Sequence, residues 1–296
     1  MKSNGTTLEK HAYLIMAHHR PDLLCELLEA LDDPRNDIFL HIDSKSDMKA
    51  EDFSTKYSKL VVIPRMNVNW GGPSQVACTL ELLKAATGTD TYSYYHLITG
   101  SSYPLKSQDY IHNFFCTNKG KELVQLNSTI GSEQRVKYRW LFNEAGKLVW
   151  QKRWKGWLRQ TWLYFQEALG VNRFRKYRLT FAKGLAYWSI THEFAMYILE
   201  KEALIKEMLK HSSCGDEVFV QILAMNSRFA DRLYNGGKSL RYTTWTLEGK
   251  GHIRDGHNFE MCDLPLLLEC DELFALKFEG PDGPAIIDCI KAHMQV

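Results

Sequence analysis

The chain has 296 residues, of which 45% are hydrophobic and 24% charged. These proportions are typical of a packed globular domain and exclude a disordered chain, a collagen or a coiled coil as the main state. Because 37 Lys and Arg are balanced by 35 Asp and Glu, the net charge is only +2, which argues against a nucleic-acid-binding protein that is basic all over its surface.

The cysteines and the N-terminal residues indicate the cellular compartment of the protein. Seven cysteines are present. This is an odd number without a Cys-x-x-Cys pair, which argues against a disulfide framework or a four-cysteine zinc site and favours a reducing compartment. The opening stretch, MKSNGTTLEK, is polar and unlike a signal peptide. No uncharged apolar stretch reaches the roughly 18 residues of a spanning helix. We therefore expect a cytoplasmic protein, with any membrane contact peripheral and on the inner face.

Strand and helix patterns alternate through the first third. The apolar run 12–17 predicts a strand buried on both faces, and Pro21 opens a helix with a leucine stripe on its inner side. Further strands are predicted at 37–42, 60–63, 94–98, 185–190, 240–245 and 273–278, and further helices after Gly71-Gly72-Pro73-Ser74, at 193–204 and from Gly215 onward. The order at the start predicts parallel βαβ units, with ligands at the carboxyl ends of the strands.

Residues 147–178 form a basic, tryptophan-rich segment. It contains nine Lys or Arg, a single Glu and four of the eight tryptophans of the chain. At about 100° per residue, its large apolar side chains share one helix face: Trp150, Trp154, Trp157, Leu158, Trp162 and Phe165. Two interpretations remain open. Either the tryptophans lie at the headgroups of an anionic membrane, or they pack into the core while the basic residues stay solvated.

Polar side chains follow the first two predicted strands. His18 comes after the first strand, and His41 and Asp43 lie at the end of the second. Such strand ends commonly hold a nucleotide, and a carboxylate there can accept hydrogen bonds from ribose hydroxyls or a uracil N–H. We expect these residues, together with Ser74, to bind a nucleotide. The alternative is that His41 is a packed histidine and Asp43 a turn former.

Nine segments, in order along nearly the whole chain, resemble one family of enzymes. They are AYLIMAHHRPDLLCELLEAL, FLHIDSKS, NWGGPSQVACTLELLKAA, YYHLITGSSYPLKS, KGLAYWSITHEFAMYIL, GDEVFVQILAMNS, RYTTW, HIRDGHNFEMCDLPLL and LFALKF. The chain resembles the core-2/I-branching β-1,6-N-acetylglucosaminyltransferases, glycosyltransferase family 14, which also includes the peptide xylosyltransferases. One departure is Ser102, where the family has an aspartate.

The resemblance implies an α/β fold of GT-A type, with a Rossmann-like central sheet flanked by helices. It implies a single glycosyltransferase domain over 1–296, with a nucleotide-binding half at about 11–105 and an acceptor half at about 106–296. The implied reaction is inverting, metal-independent transfer of a sugar, GlcNAc being favoured, from a UDP-sugar to a hydroxyl of a glycan, free or lipid-linked. UDP-xylose is an alternative donor, and a non-enzymatic glycan- or nucleic-acid-binding protein is an alternative function.

The resemblance also implies roles for individual residues. Glu217, in the Asp-Glu pair, matches the general base, although an acidic pair in a first helical turn also stabilises the helix dipole. Asp216 is the alternative base, but as a helix N-cap its carboxylate is occupied. Arg254 and Lys277 match the cations that contact the donor diphosphate. The residues assigned to the acceptor site are Trp245, Arg135, Tyr138 and Tyr187.

The spacing of the aspartates bears on metal binding. No two of them stand at i and i+2, so the chain lacks the Asp-x-Asp motif by which most metal-dependent nucleotide-sugar transferases hold the metal that neutralises the diphosphate. We expect no metal and no other cofactor, because two fixed cations can take that role. A metal-dependent transferase with Asp43 as a lone ligand is a further hypothesis.

Overall fold

The computed structural model describes residues 9–127, 129, 131–146, 153–243 and 258–294, and the backbone of 245–248 and 252–256. The chain divides into two compact units, each built from separate stretches of sequence. The first unit comprises the residues up to 62, 92–119 and those from 240 onward, and the second comprises 63–91 and 120–239. The expected functional halves, 11–105 and 106–296, have different boundaries from these units, and they stay a prediction.

Both units consist of short strands and helices. The strands are β1 (His11–Ala17), β2 (Asn36–Ile42), β3 (Lys59–Val62), β4 (Tyr94–Thr99), β5 (Ser102–Pro104), β6 (Ser189–Thr191), β7 (Arg241–Tyr242), β8 (Trp245–Glu248), β9 (His252–Gly256) and β10 (Phe274–Leu276). The α-helices are Pro21–Leu31, Pro73–Thr89, Gln108–Thr117, Gln134–Lys137, Arg153–Ala168, His192–Glu200, Glu202–Leu209, Phe219–Met225, Leu264–Glu269 and Gly283–Met294. Short 3-10 helices are Ala50–Asp52, Phe174–Tyr177, Gly215–Glu217, Ala230–Arg232, Tyr234–Gly236 and Met261–Asp263.

A parallel sheet forms the core of the first unit, with strands in the order β3-β2-β1-β4. All residues of β2 and nearly all of β1 and β4 are buried, which explains why these strands have continuous apolar runs. The helix Pro21–Leu31 joins β1 to β2 and buries its leucine stripe. The predicted α/β fold of GT-A type, with a central sheet and flanking helices, is confirmed.

A small mixed sheet completes the first unit. Strand β10 runs antiparallel to β5 and parallel to β7, and the chain continues from it directly into Lys277. Side chains from this sheet, from Pro21–Leu31 and from Gly283–Met294 form one buried cluster, which includes Leu23, Tyr103, Phe259, Ala275, Phe278, Ile286 and Ile290. This packing fixes the backbone on both sides of Lys277.

Several predicted elements differ in extent from those observed. The strand predicted at 240–245 corresponds to β7 and the start of β8, the strand predicted at 273–278 to the shorter β10, and the helix predicted from Gly215 onward to a 3-10 helix followed by an α-helix. The strand predicted at 185–190 is reduced to β6, because the backbone just before it is bonded elsewhere. The Gly184 N–H donates to the carbonyl of Glu217 at 2.9 Å, and Gln221 Nε2 donates to the carbonyl of Leu185 at 2.7 Å. The helix predicted at 193–204 is two helices that meet at Lys201.

The orientation of the helix Arg153–Ala168 in the second unit contradicts the core-packing interpretation. Trp154 and Trp157 are exposed, and the buried residues are Arg159, Leu163 and Gln166. The core-packing interpretation is therefore wrong for these two tryptophans, and Arg159 is not solvated. Trp150 lies outside the described residues. Among the helices of the described residues, none combines the length and the hydropathy that a membrane span requires.

Three histidines of the first unit form a cluster centred on His11, in which His11 and His96 are buried and His112 is half-buried. His11 Nδ1 lies 3.1 Å from His96 Nε2, and the rings of His11 and His112 stack with centroids 4.1 Å apart. His112 Nε2 lies 2.9 Å from the side-chain oxygen of Asn36. Burial lowers the pKa of all three imidazoles, that of His112 to about 4. The folded protein therefore holds the cluster neutral at pH values where an exposed histidine is protonated.

This cluster predicts a loss of stability in mild acid. In the unfolded chain histidine protonates near pH 6.5, as it does in model peptides, so the unfolded state binds more protons as the pH falls. The free energy of unfolding should decline between about pH 6.5 and 4. His112→Gln, which keeps a donor for Asn36, should reduce that decline in urea unfolding, whereas the exposed His293→Gln should not. Equal pH slopes for wild type and His112→Gln would contradict this explanation.

Candidate active site

The backbone around Glu217 is fixed by contacts within the second unit. Cys214 has a left-handed conformation with φ of 49°, and its N–H donates to the carbonyl of Gly71 at 2.7 Å. A Cβ on Gly184 would lie only 1.6 Å from the carbonyl oxygen of Gln125, so only glycine allows this close approach. The Gly184 N–H donates to the carbonyl of Glu217 itself, and the Cys214 N–H is bonded three residues earlier. The backbone at and just before Glu217 is therefore held by two hydrogen bonds.

The carboxylate of Glu217 is held through one of its oxygens. Arg135 Nη1 donates to Oε2 at 2.5 Å, and Lys183 Nζ lies 3.7 Å from the same atom. Although burial opposes the charge on Arg135, the Glu217 carboxylate raises the pKa of its guanidinium. The other oxygen, Oε1, has no hydrogen bond to any of the described residues, and the side chain is 22% exposed. A carboxylate held in this way keeps one oxygen available to accept a proton.

The neighbouring Asp216 has a different environment. Its side chain is buried, and Oδ2 accepts a hydrogen bond from Gln75 Nε2 at 2.9 Å. Burial, with the negative charge of Glu217, raises the pKa of the Asp216 carboxyl. The predicted N-cap role is wrong, because this carboxylate is paired with Gln75 from another helix and the N-cap position belongs to Cys214. Of the acidic pair, Glu217 is thus the member that is partly exposed and paired with cations.

Two residues that contact the acidic pair, Lys183 and Gln75, were missed from sequence, whereas Arg135 and Glu217 were both predicted. Lys183 stands in the segment KGLAYWSITHEFAMYIL, and its place directly before the tightly packed Gly184 is the signal that could have found it. Gln75 reaches Asp216 from 141 positions away in the sequence, and nothing in its local pattern indicates that contact.

In the first unit, three predicted residues lie near one another at strand ends. His18 follows β1, Asp43 follows β2 and Lys277 follows β10. Burial lowers the pKa of His18, and the charges of His19, Glu279, Asp43 and Lys277 also act on it. His19 Nε2 lies 3.4 Å from Glu279 Oε2, which brings the segment after β10 to the end of β1. The Asp43 N–H donates to the Ala17 carbonyl at 2.9 Å. Lys277 is half-buried, and its side chain makes no hydrogen bond or ion pair with the described residues, so its ammonium can bind an anion.

The remaining nucleotide candidates are placed differently. His41 lies inside β2, buried and paired with Met16 of β1, a position that fits the packed-histidine alternative. Ser74 belongs to the second unit, where its hydroxyl donates to Glu144 at 2.7 Å and accepts from the Asn69 N–H at 2.9 Å. Nucleotide binding by His41 and Ser74 stays a prediction.

The remaining candidates for the acceptor and diphosphate sites are buried, half-buried or without a described side chain. Tyr138 is buried, with only 2% of its side chain exposed, which leaves little surface for an acceptor, and Tyr187 is half-buried. Trp245 lies on β8 and Arg254 on β9, which pair antiparallel, but the side chains of both lie outside the described residues. Their roles, like those of the two tyrosines, stay predictions.

A metal site would require several ligand side chains close together. Among those that the structure describes, no three His, Cys, Asp or Glu residues group closely enough to hold a metal ion. Asp43 instead accepts a hydrogen bond from the Lys45 N–H at 2.8 Å and pairs with Lys45 Nζ at 3.1 Å. Both metal independence and the hypothesis of Asp43 as a lone ligand stay predictions.

Known proteins are similar to this chain in sequence over most of its length. The model of the core-2/I-branching enzyme family matches residues 11–266. The mouse N-acetyllactosaminide β-1,6-N-acetylglucosaminyl-transferase is 23% identical over 308 aligned positions, which cover 96% of this chain and 72% of the mouse protein. The match confirms the predicted resemblance. It also confirms the prediction that the protein is an enzyme that uses a sugar donor and a glycan acceptor. The non-enzymatic alternative is not supported. The chain belongs to the core-2/I-branching family of glycosyltransferases.

Proposed function

We propose that the protein transfers N-acetylglucosamine from UDP-GlcNAc to a glycan hydroxyl, with inversion at the anomeric carbon and without a metal ion. The sugar and the linkage are supported by the mouse relative, which is a β-1,6-N-acetylglucosaminyl-transferase. UDP-GlcNAc carries its sugar in an α linkage, so a β product requires displacement from the opposite face. Such a displacement passes through an oxocarbenium-like sugar.

The observation that carries the proposal is the one-sided pairing of Glu217. Because Arg135 and Lys183 both approach Oε2, the carboxylate is held in one orientation while Oε1 can take a proton. Glu217 thus acts as general base and removes the proton of the acceptor hydroxyl. The acceptor oxygen forms its bond to the anomeric carbon, and the bond from that carbon to the diphosphate breaks. UDP leaves with the electron pair.

The negative charge on the departing diphosphate requires compensation. Lys277 is half-buried, and its side chain has no hydrogen-bond or ion-pair partner among the described residues. It is therefore suited to supply the charge, and Arg254 is proposed as the second cation from the resemblance. Arginine offers two donors to phosphate oxygens and lysine a point charge. Cations fixed in advance stabilise charge that develops in the transition state, which supports a reaction without a metal.

The nature of the product tests this proposal directly. The full chain is incubated with UDP-GlcNAc or UDP-xylose and with N-acetyllactosamine as acceptor probe. We expect a β-linked GlcNAc product by NMR, and one UDP released for each sugar transferred. An α-linked product would overturn inversion, and transfer from UDP-xylose alone would overturn the donor. If no UDP-sugar is cleaved, with or without acceptor, the proposal as a whole fails.

A further inference from the structure

One face of the helix Arg153–Ala168 and the residue after it form an exposed apolar surface, which we name the aromatic ridge. Its members are Trp154, Trp157, Leu158, Tyr164, Phe165 and Leu169. Their exposed fractions range from 39% for Leu158 to 69% for Trp157. At about 100° per residue, the five members within the helix fall in a stripe about 120° wide. Large apolar side chains grouped in this way on a surface indicate an interaction site.

The fold fixes this exposure, because polar contacts hold the opposite face of the helix. The side-chain amide of Gln166 accepts from the Arg139 N–H at 2.8 Å and donates to the Arg139 carbonyl at 3.0 Å. Arg159 Nη2 donates to Ser213 Oγ at 3.1 Å, and its guanidinium lies 4.5 Å from the ring of Trp140. Rotation of the helix to bury the ridge would break these bonds and leave buried polar groups unsatisfied.

Positive charges flank the ridge on both sides. By helical angle, Arg153 stands beside the Tyr164 edge and Lys155 beyond the Leu158 edge. Lys155 Nζ lies 5.6 Å from the centre of the Trp154 ring and 5.3 Å from that of the Phe142 ring, so its charge lies beside aromatic side chains at the border of the ridge. From residue 153 to 178 the chain has seven basic residues and one acidic residue, Glu167.

We propose that the aromatic ridge docks on the surface of an anionic phospholipid bilayer. Tryptophan and tyrosine favour the level of the lipid headgroups, where their rings contact acyl chains and their polar atoms stay wet. The flanking Arg153 and Lys155 would then face lipid phosphates, and charges at that position add to binding. A second copy of the chain is a poorer occupant, since two ridges face to face would bring like charges together.

This orientation has a consequence for the reaction, which rests on the proposed function. Arg159, on the buried face of the same helix, bonds Ser213 in the segment that leads into Gly215–Glu217. The helix that meets the lipid thus directly supports the loop of the proposed base. An acceptor glycan carried on a lipid would be presented at the same surface.

Vesicle flotation tests the docking independently of catalysis. The full chain is mixed with vesicles of phosphatidylcholine alone or with phosphatidylglycerol added. We expect flotation with the anionic vesicles only, a partition coefficient at least ~10-fold lower for Trp154→Ser/Trp157→Ser, and one about 25-fold lower for Arg153→Gln/Lys155→Gln. The matched control Tyr57→Ser/Met196→Ser, at exposed apolar positions elsewhere (58% and 47%), should float like the wild type. Circular dichroism and a cooperative urea unfolding transition confirm that each variant is folded.

Three results would overturn the docking proposal. The first is wild-type protein that stays at the bottom of the gradient with anionic vesicles. The second is Trp154→Ser/Trp157→Ser that floats as well as the wild type. The third is a wild-type dimer in gel filtration without lipid that becomes a monomer in the tryptophan variant, which would assign the ridge to self-association. Because none of these readouts depends on sugar transfer, failure of the docking is distinguishable from failure of the proposed function.

Discussion

Replacing Glu217 by Gln is expected to lower kcat for sugar transfer from UDP-GlcNAc by about 10²–10⁴, the usual contribution of a general base. Glutamine keeps the shape of the side chain and can still accept a hydrogen bond from Arg135, but it cannot take a proton from the acceptor. The KM for the donor should change little, because an interaction made only in the transition state is lost.

Matched variants separate this effect from a general loss of charge. Glu193 also pairs with two arginines of the second unit, Arg228 and Arg232, but on the surface. Glu193→Gln should therefore keep the wild-type kcat. Asp216→Asn tests the neighbouring carboxyl, which should not be the base because it is buried and bonded to Gln75. If Asp216→Asn abolished transfer while Glu217→Gln retained it, the assignment of the base would be wrong.

Neutralising Lys277 is expected to have the second large effect, a loss of about 10²–10³ in kcat, by analogy with removal of a preorganised donor to developing charge. Lys277→Ala should also weaken binding of UDP, measured by titration calorimetry, because the proposed contact of the ammonium with the diphosphate would be present in both ground and transition states. Lys277→Arg should restore part of the rate, since the charge remains while its geometry changes.

Lys119 provides the control for Lys277. It is 70% exposed in the same unit and pairs with Glu9 on the surface, so Lys119→Ala should alter neither kcat nor UDP affinity. Arg254→Ala should impair the enzyme in the same manner as Lys277→Ala if both cations serve the leaving group. Normal UDP affinity and kcat in Lys277→Ala would remove this residue from the mechanism.

Much of the first unit could be predicted from sequence because its signals are local. The buried strands β1, β2 and β4 appear as short apolar runs, and Pro21 with its leucine stripe indicates a helix that begins at a particular residue. These elements need only the period of the side chains and the rules for helix ends. The parallel direction of these strands then follows from the alternation of strand and helix.

The tryptophan-rich helix and the Glu217 site show what local patterns leave out. The stripe that includes Trp154 and Trp157 predicts one apolar face, but the pattern does not say whether that face meets protein, lipid or water. That is decided by Arg159 and Gln166, whose partners come from elsewhere in the fold. Likewise Arg135 reaches Glu217 from 82 positions away, a contact that only tertiary structure creates.

The central claim is that fixed cations, and not a divalent ion, neutralise the departing diphosphate while Glu217 activates the acceptor. It is tested most directly by the initial rate of UDP release from UDP-GlcNAc in excess EDTA, compared with the rate in added Mn²⁺. We predict equal rates for the wild type and the same impairment of Lys277→Ala in both conditions. A wild-type rate that collapses in EDTA and returns with Mn²⁺ would contradict the claim.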